Sequence, residues 1–179
     1  VTVDGTTHSL PDPFFVIATQ NPVDLAGTSP LPDSQLDRFL LRLTLGYPGE
    51  AAERDLLAGV DRRDLIAQTM PLLDTADVRA ARRAVLGVHA SDALVTYVQA
   101  LLARSRKHPG VRVGLSPRAG LALLRAARAY ALLLGRSHVL PEDVQALFGA
   151  VAAHRLVADA QAGSDASLAK AILHAVPVD

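Results

Sequence analysis

The chain has 179 residues, enough for one full domain or for a partial one with a small companion. Half of it is hydrophobic but only 4% is aromatic, and Ala and Leu supply most of the apolar count, which favours close-packed helices over a β-sandwich. A net charge of +0 leaves no global field to draw it to nucleic acid or an anionic membrane, and the absence of cysteine removes disulfides and thiolate metal sites and fits a reducing cytoplasm.

Val1-Thr2-Val3-Asp4-Gly5 has neither the charged nor the apolar region of a signal peptide. The first residue is not Met and the only Met is Met70, so the chain reads as a cropped or processed piece. Asp4-Gly5, between Val1-Thr2-Val3 and Thr6-Thr7-His8, predicts a hairpin with a type I′ turn. Residues 14–19, FFVIAT, form a continuous apolar run, as expected of a strand buried on both faces of a parallel sheet. A Pro- and Gly-punctuated loop follows over 22–32. Asp33 is placed to cap a short helix through Phe39, and 41–45 alternates as a further strand.

From Pro48 onward the pattern is helical. Pro48 suits a first helical position, with Glu50 and Glu53 in the opening turns, where the helix dipole favours carboxylates. Further helices are predicted over about 75–86, 92–106, 117–134, from Pro141, and over about 166–175. The helix over 117–134 is apolar almost all round except for a stripe of Arg118, Arg125 and Arg128, which makes it the central helix of a bundle and breaks it as a membrane span. The predicted layout is α/β plus all-α: a partial α/β layer over 1–47 and a helical domain over 48–179.

Several chemistries are excluded. A phosphate-binding loop needs Gly-Lys-Ser/Thr, and the only lysines are Lys107, after Arg106, and Lys170, after Ala169. No apolar strand ends in Asp-Glu to hold a metal and activate water. The six histidines show no paired ligand spacing, and Pro117 after Ser116 lacks the N–H that an oxyanion hole would use.

Three polar residues stand at meaningful places. Asn21 ends the apolar run, where open α/β sheets bind ligands, and it offers a donor and an acceptor for a phosphate oxygen or water; Asn-Pro is equally a turn signal. Arg38, in Leu36-Asp37-Arg38-Phe39, presents a planar fork suited to phosphate, or else a surface ion pair with Asp37 or Asp33. Arg118 opposes the dipole in the first turn after a Ser116 cap and Pro117, which calls for an anionic partner or a neighbouring carboxylate.

The run FFVIATQNPVDLAGTSPLPDSQLDRF over 14–39, with VGLSPRAG over 113–120 and LPEDV over 140–144, closely resembles the MoxR-type AAA+ ATPases along nearly the whole chain. The resemblance implies the C-terminal part of an AAA+ (P-loop NTPase) core followed by a helical lid. It implies that Asn21 is sensor 1, Arg38 an arginine finger reaching the neighbouring subunit's nucleotide, and Arg118 sensor 2. It further implies ATP/ADP with Mg²⁺ held mainly by motifs outside these residues, a homo-oligomeric ring (a hexamer), and chaperone-like remodelling in the cytoplasm. Partners bearing von Willebrand factor A domains are implied, without nucleic acid or membrane insertion. The chain alone is then not expected to hydrolyse ATP. Ala26 and Ser29 depart from the family pattern, away from the implied phosphate contacts.

Three other readings stand beside this one: a non-catalytic helical adaptor derived from the fold, a magnesium-chelatase-like subunit, and a nucleic-acid binder using Arg79, Arg82, Arg83, Arg104, Arg106 and Lys107. In the implied core, the strands over 14–19 and 41–45 are not neighbours. Without the strand between them they would present unpaired edges.

Overall fold

The computed structural model describes residues 1–20, 31–59, 62–159 and 164–178. The turn signal at the start is met: β1 (Thr2–Val3) and β2 (Thr6–Thr7) pair antiparallel, Thr2 opposite Thr7 and Val3 opposite Thr6. Asp4 and Gly5 take φ of 49° and 78°, the left-handed pair that a type I′ turn demands.

The two runs expected as strands, over 14–19 and 41–45, stand outside any ladder. Phe15, Val16 and Ile17 are 67%, 61% and 78% exposed, and Leu43 and Leu45 are 72% and 98% exposed. A strand has no internal hydrogen bonds and needs a neighbouring strand to supply the external ones, and among the described residues neither run pairs with one.

Helix boundaries differ from expectation by a residue or two at the exposed starts. Asp33 is the first residue of α1 (Asp33–Leu36) rather than its cap, and the chain turns at Asp37-Arg38 before reaching Phe39. Helix α2 (Glu50–Leu57) is capped by Gly49, so Pro48 lies outside it, while Glu50 and Glu53 do occupy its first turn. Helix α3 (Arg62–Gln68) was not foreseen. Helix α4 (Thr75–Gly87) starts with a reciprocal cap: Asp74 Oδ1 accepts the Asp77 N–H at 2.8 Å, and Asp77 Oδ2 accepts the Asp74 N–H at 3.0 Å.

The apolar core begins only at Val88 and runs to Ile172; no residue of α2 or α4 is buried. Helices α2 and α4, although part of the helical pattern from Pro48, contribute no residue to this core. Four helices build it: α5 (Asp92–Lys107), α6 (Pro117–Leu133), α7 (Pro141–Ala152) and α8 (Asp165–His174). Helix α6 packs on both α5 and α7, as its central role required. It does so through small residues, Ala119, Ala122, Ala126, Ala127 and Ala131, which let the backbones approach, with Leu123 among them. It is not buried all round, however: Leu121 and Leu133 are 59% and 84% exposed. Helix α5 contributes Leu94, Val98, Leu101 and Leu102 at helical spacing, and α7 contributes Val144, Phe148 and Val151.

A short 3-10 turn (Ala153–Arg155) follows α7, and β3 (Val111–Val113) pairs antiparallel with β4 (Val157–Ala158) just beyond it. By contact, the chain divides into two units: Val1–Phe14 with Leu43–Ala80, and Phe15–Arg42 with Ala81–Asp179. The segment carrying Arg38 thus belongs with the helical core. Among the described residues no helix is long and apolar enough to cross a membrane.

Candidate functional site

The site grows from the end of α5. Ser105 is fully buried; its Oγ donates to the Leu102 carbonyl at 2.7 Å and accepts the Leu115 N–H at 2.9 Å. Arg106 Nε donates to the Leu115 carbonyl at 2.9 Å. Between them Gly114 lies so close to α5 that a Cβ there would sit 2.7 Å from the Arg106 Cα. The chain is thereby fixed where α6 begins. Ser116 Oγ accepts the Ala119 N–H at 3.3 Å, and Pro117 takes the first helical position, as the sequence predicts. Arg118 leaves the first turn with its side chain 59% exposed.

Opposite stands Asp37. Ser116 Oγ donates towards its carboxylate at 3.3 and 3.4 Å, and Arg118 Nη1 lies 3.8 Å from Oδ2. The strongest partner is Arg155, from the turn after α7, whose Nε donates to Oδ1 at 2.9 Å. The side chain of Arg155 is only 2% exposed. Its other donors reach backbone carbonyls: Leu40 and Asp37, each at 3.2 Å, and those of Phe39 and Val151. Burial pulls the Arg155 pKa down, and the bond and charge of Asp37 oppose that pull. Two further contacts dock the same stretch. His154 Nε2 lies 3.3 Å from the Phe39 carbonyl, and the Arg42 N–H donates to the Ala150 carbonyl at 2.8 Å. Burial, then repulsion from Arg155, lowers the His154 pKa, so the neutral imidazole donates its Nε2 proton to Phe39.

The three residues singled out by sequence fare differently. Arg38 is exposed, and among the described residues no hydrogen bond or ion pair engages its guanidinium. The ion pair with Asp37 or Asp33 is not formed, because Asp37 is taken by Arg155, Ser116 and Arg118. Arg118 does find a neighbouring carboxylate, at the long distance given above. Asn21 lies outside the described residues, as do the loop over 22–30 and its departures Ala26 and Ser29.

Arg155 escaped the sequence reading, although one signal was there. It continues the buried α7 stripe of Val144, Phe148 and Val151 at helical spacing, and a charge on a buried stripe must have a partner. No group of three or more His, Asp or Glu side chains gathers as a metal ligand set among the described residues.

The sequence model of the AAA lid domain matches residues 103–175, and that of the ATPase family associated with various cellular activities matches residues 1–41. The uncharacterised protein YeaC of Bacillus subtilis is 42% identical over 176 residues, which cover 98% of this chain and 55% of YeaC. Chaperone MoxR1 of Mycobacterium tuberculosis is 36% identical over 166 residues, covering 88% of this chain and 44% of its own. Protein MoxR of Paracoccus denitrificans is 34% identical, with coverages of 79% and 47%. A crystal structure of a candidate ATPase from Cytophaga hutchinsonii superposes with a TM-score of 0.88 at 31% identity, covering all of this chain and 58% of that one. The chain spans about half the length of the curated relatives it matches.

Proposed function

Because the chain belongs to the MoxR-type AAA+ ATPases, we propose that it supplies the nucleotide-sensing side chains of such an ATPase, with Arg38 as the finger that acts on a neighbouring subunit's nucleotide. Residues 1–47 end the α/β core and 48–179 form the lid, with Arg118 as sensor 2 and Asn21 as sensor 1. ATP and magnesium are bound mainly by the rest of the enzyme. The subunits form a hexameric ring in the cytoplasm that remodels client proteins in a chaperone-like way, together with von Willebrand factor A domain partners.

One observation carries the reading. Asp37, the carboxylate nearest Arg38 in sequence, is engaged by three other groups, while Arg38 is exposed and unengaged among the described residues. Phosphoryl transfer needs positioned cations to stabilise charge spread over the phosphoryl oxygens, and a guanidinium kept off its own carboxylates is available for that. Arg118 makes only a long, exposed pair, which a phosphate can displace.

In the complete ATPase, Arg38→Ala should lower kcat by about 10³-fold or more while leaving the binding of a non-hydrolysable ATP analogue nearly unchanged. Unchanged turnover, or lost binding in a folded protein, would assign Arg38 another role. The 179 residues contain no Gly-Lys-Ser/Thr, so the purified chain by itself should release no phosphate from ATP. Steady turnover by that chain, free of contaminating enzyme, would overturn this.

A further inference from the structure

We propose that Arg155 is a positioning residue for Arg38: it fixes the backbone on both sides of the finger from a buried seat at the end of α7. The proposal rests on the reading of Arg38 given above.

Helix α1 has four residues, too few to hold its own shape, and the chain turns immediately after it. The turn's carbonyls must find donors elsewhere. Arg155 provides them from one planar group. Its Nε holds the Asp37 carboxylate, Nη2 holds the Asp37 and Phe39 carbonyls, and Nη1 holds the Leu40 carbonyl and, on α7 itself, that of Val151. A guanidinium has five N–H groups in a rigid fork, and here they meet five acceptors. Four of those acceptors lie within 37–40, on either side of Arg38, and none is Arg38 itself. The finger's side chain therefore leaves from a fixed point while staying free.

Burying a guanidinium to 2% exposure is costly unless every donor is satisfied, and an apolar side chain would close the same space at less cost. What an apolar residue could not do is set the direction of the turn. Arg42 and His154 add a backbone contact each, from the Arg42 N–H to Ala150 and from His154 to Phe39, so the stretch is held at its far end as well. A lysine in place of Arg155 would keep the charge and lose the fork.

The test uses the complete ATPase with Arg155→Lys, Arg155→Met and Asp37→Asn, alone and combined with Arg38→Ala. Misplacing a reacting group by about an ångström costs on the order of 10²-fold. Arg155→Lys should therefore lower kcat by roughly 10- to 100-fold, with KM and the affinity for a non-hydrolysable ATP analogue kept within about twofold. Asp37→Asn keeps an acceptor and should lose less. On top of Arg38→Ala, neither substitution should lower kcat further by more than about twofold, since residues acting as one unit are not additive. If Arg155→Met does not fold, the milder two variants carry the test. Unchanged kcat in folded Arg155→Lys, or losses that multiply in the double variant, would overturn the positioning role alone. If Arg38→Ala leaves kcat intact, the reading of Arg38 falls first, and this proposal with it.

Discussion

Asp143 and His154 are both buried and titratable, and both sit at ends of α7, yet they respond to acid in different windows. Asp143 is 2% exposed and takes a two-point grip from Arg136, at 2.7 and 2.5 Å, as well as the Leu140 N–H at 2.8 Å. The hydrogen bonds from Arg136 lower its pKa below the usual 3.8 and raise that of Arg136. Its contribution is present above the unfolded value and is lost as pH falls through the depressed folded one. His154 is depressed from 6.5 by burial and by Arg155, with Arg42 adding to the repulsion and the Phe39 and Ala150 carbonyls opposing it. Below 6.5 the unfolded chain takes up a proton that the folded one refuses, so stability falls as pH drops through that window. Melting temperatures measured from neutral pH down to ~pH 5 should show this loss in the native chain and a shallower slope in His154→Gln. Parallel slopes would mean that the imidazole is not held neutral.

The beginnings of elements were legible where a cap and a proline coincide. Ser116-Pro117 and Pro141 start α6 and α7 as predicted, because those residues satisfy or dispense with orphan N–H groups locally. The pairing of β3 with β4 was not legible: three residues meet two from more than 40 positions away, with no alternation to announce them. Arg38 and Arg118 could be singled out, whereas the carboxylate and buried arginine that organise them could not, since that contact spans 118 positions. Two glycines sharpen the point at the α5–α6 crossing. A Cβ on Gly114 meets Arg106 backbone at 2.7 Å, which cannot yield, so Gly114→Ala should cost roughly 1–3 kcal/mol. On Gly120 its nearest neighbours are the Leu102 methyls, at 3.1 and 3.2 Å, while the helix gains about 1 kcal/mol from Ala. Denaturant unfolding should find Gly120→Ala within about 1 kcal/mol of the parent. A larger loss there than at Gly114 would contradict this packing.

At the scale of the molecule, protection should follow the core and not the helix count. In the isolated chain, amides of α5, α6 and α7 should exchange slowly, and those over 14–19 and 43–47 rapidly, since the latter have no ladder and little cover. Helices α2 and α4, which bury nothing, should exchange faster than α6. Strong protection over 14–19 without a partner present would show that this run finds a ladder after all. The sequence pattern there announced a buried strand, whereas in the structure the run is in no strand and Phe15, Val16 and Ile17 are exposed. What it did not contain was the neighbour a strand needs, and hydrophobic runs are silent about which chain supplies one.

The two units are interleaved along the chain, which passes between them at 14/15, 42/43 and 80/81. No single cut separates them. A lid excised at Pro48, where the helical pattern begins, would carry Arg155 away from four of its five acceptors and strand a buried cation. A dissection that follows the sequence pattern should therefore give a poorly behaved product. One that keeps Phe15–Arg42 attached to Ala81–Asp179 should give a soluble, cooperatively melting one, so the place to divide this protein is set by its ion pairs and not by its helices.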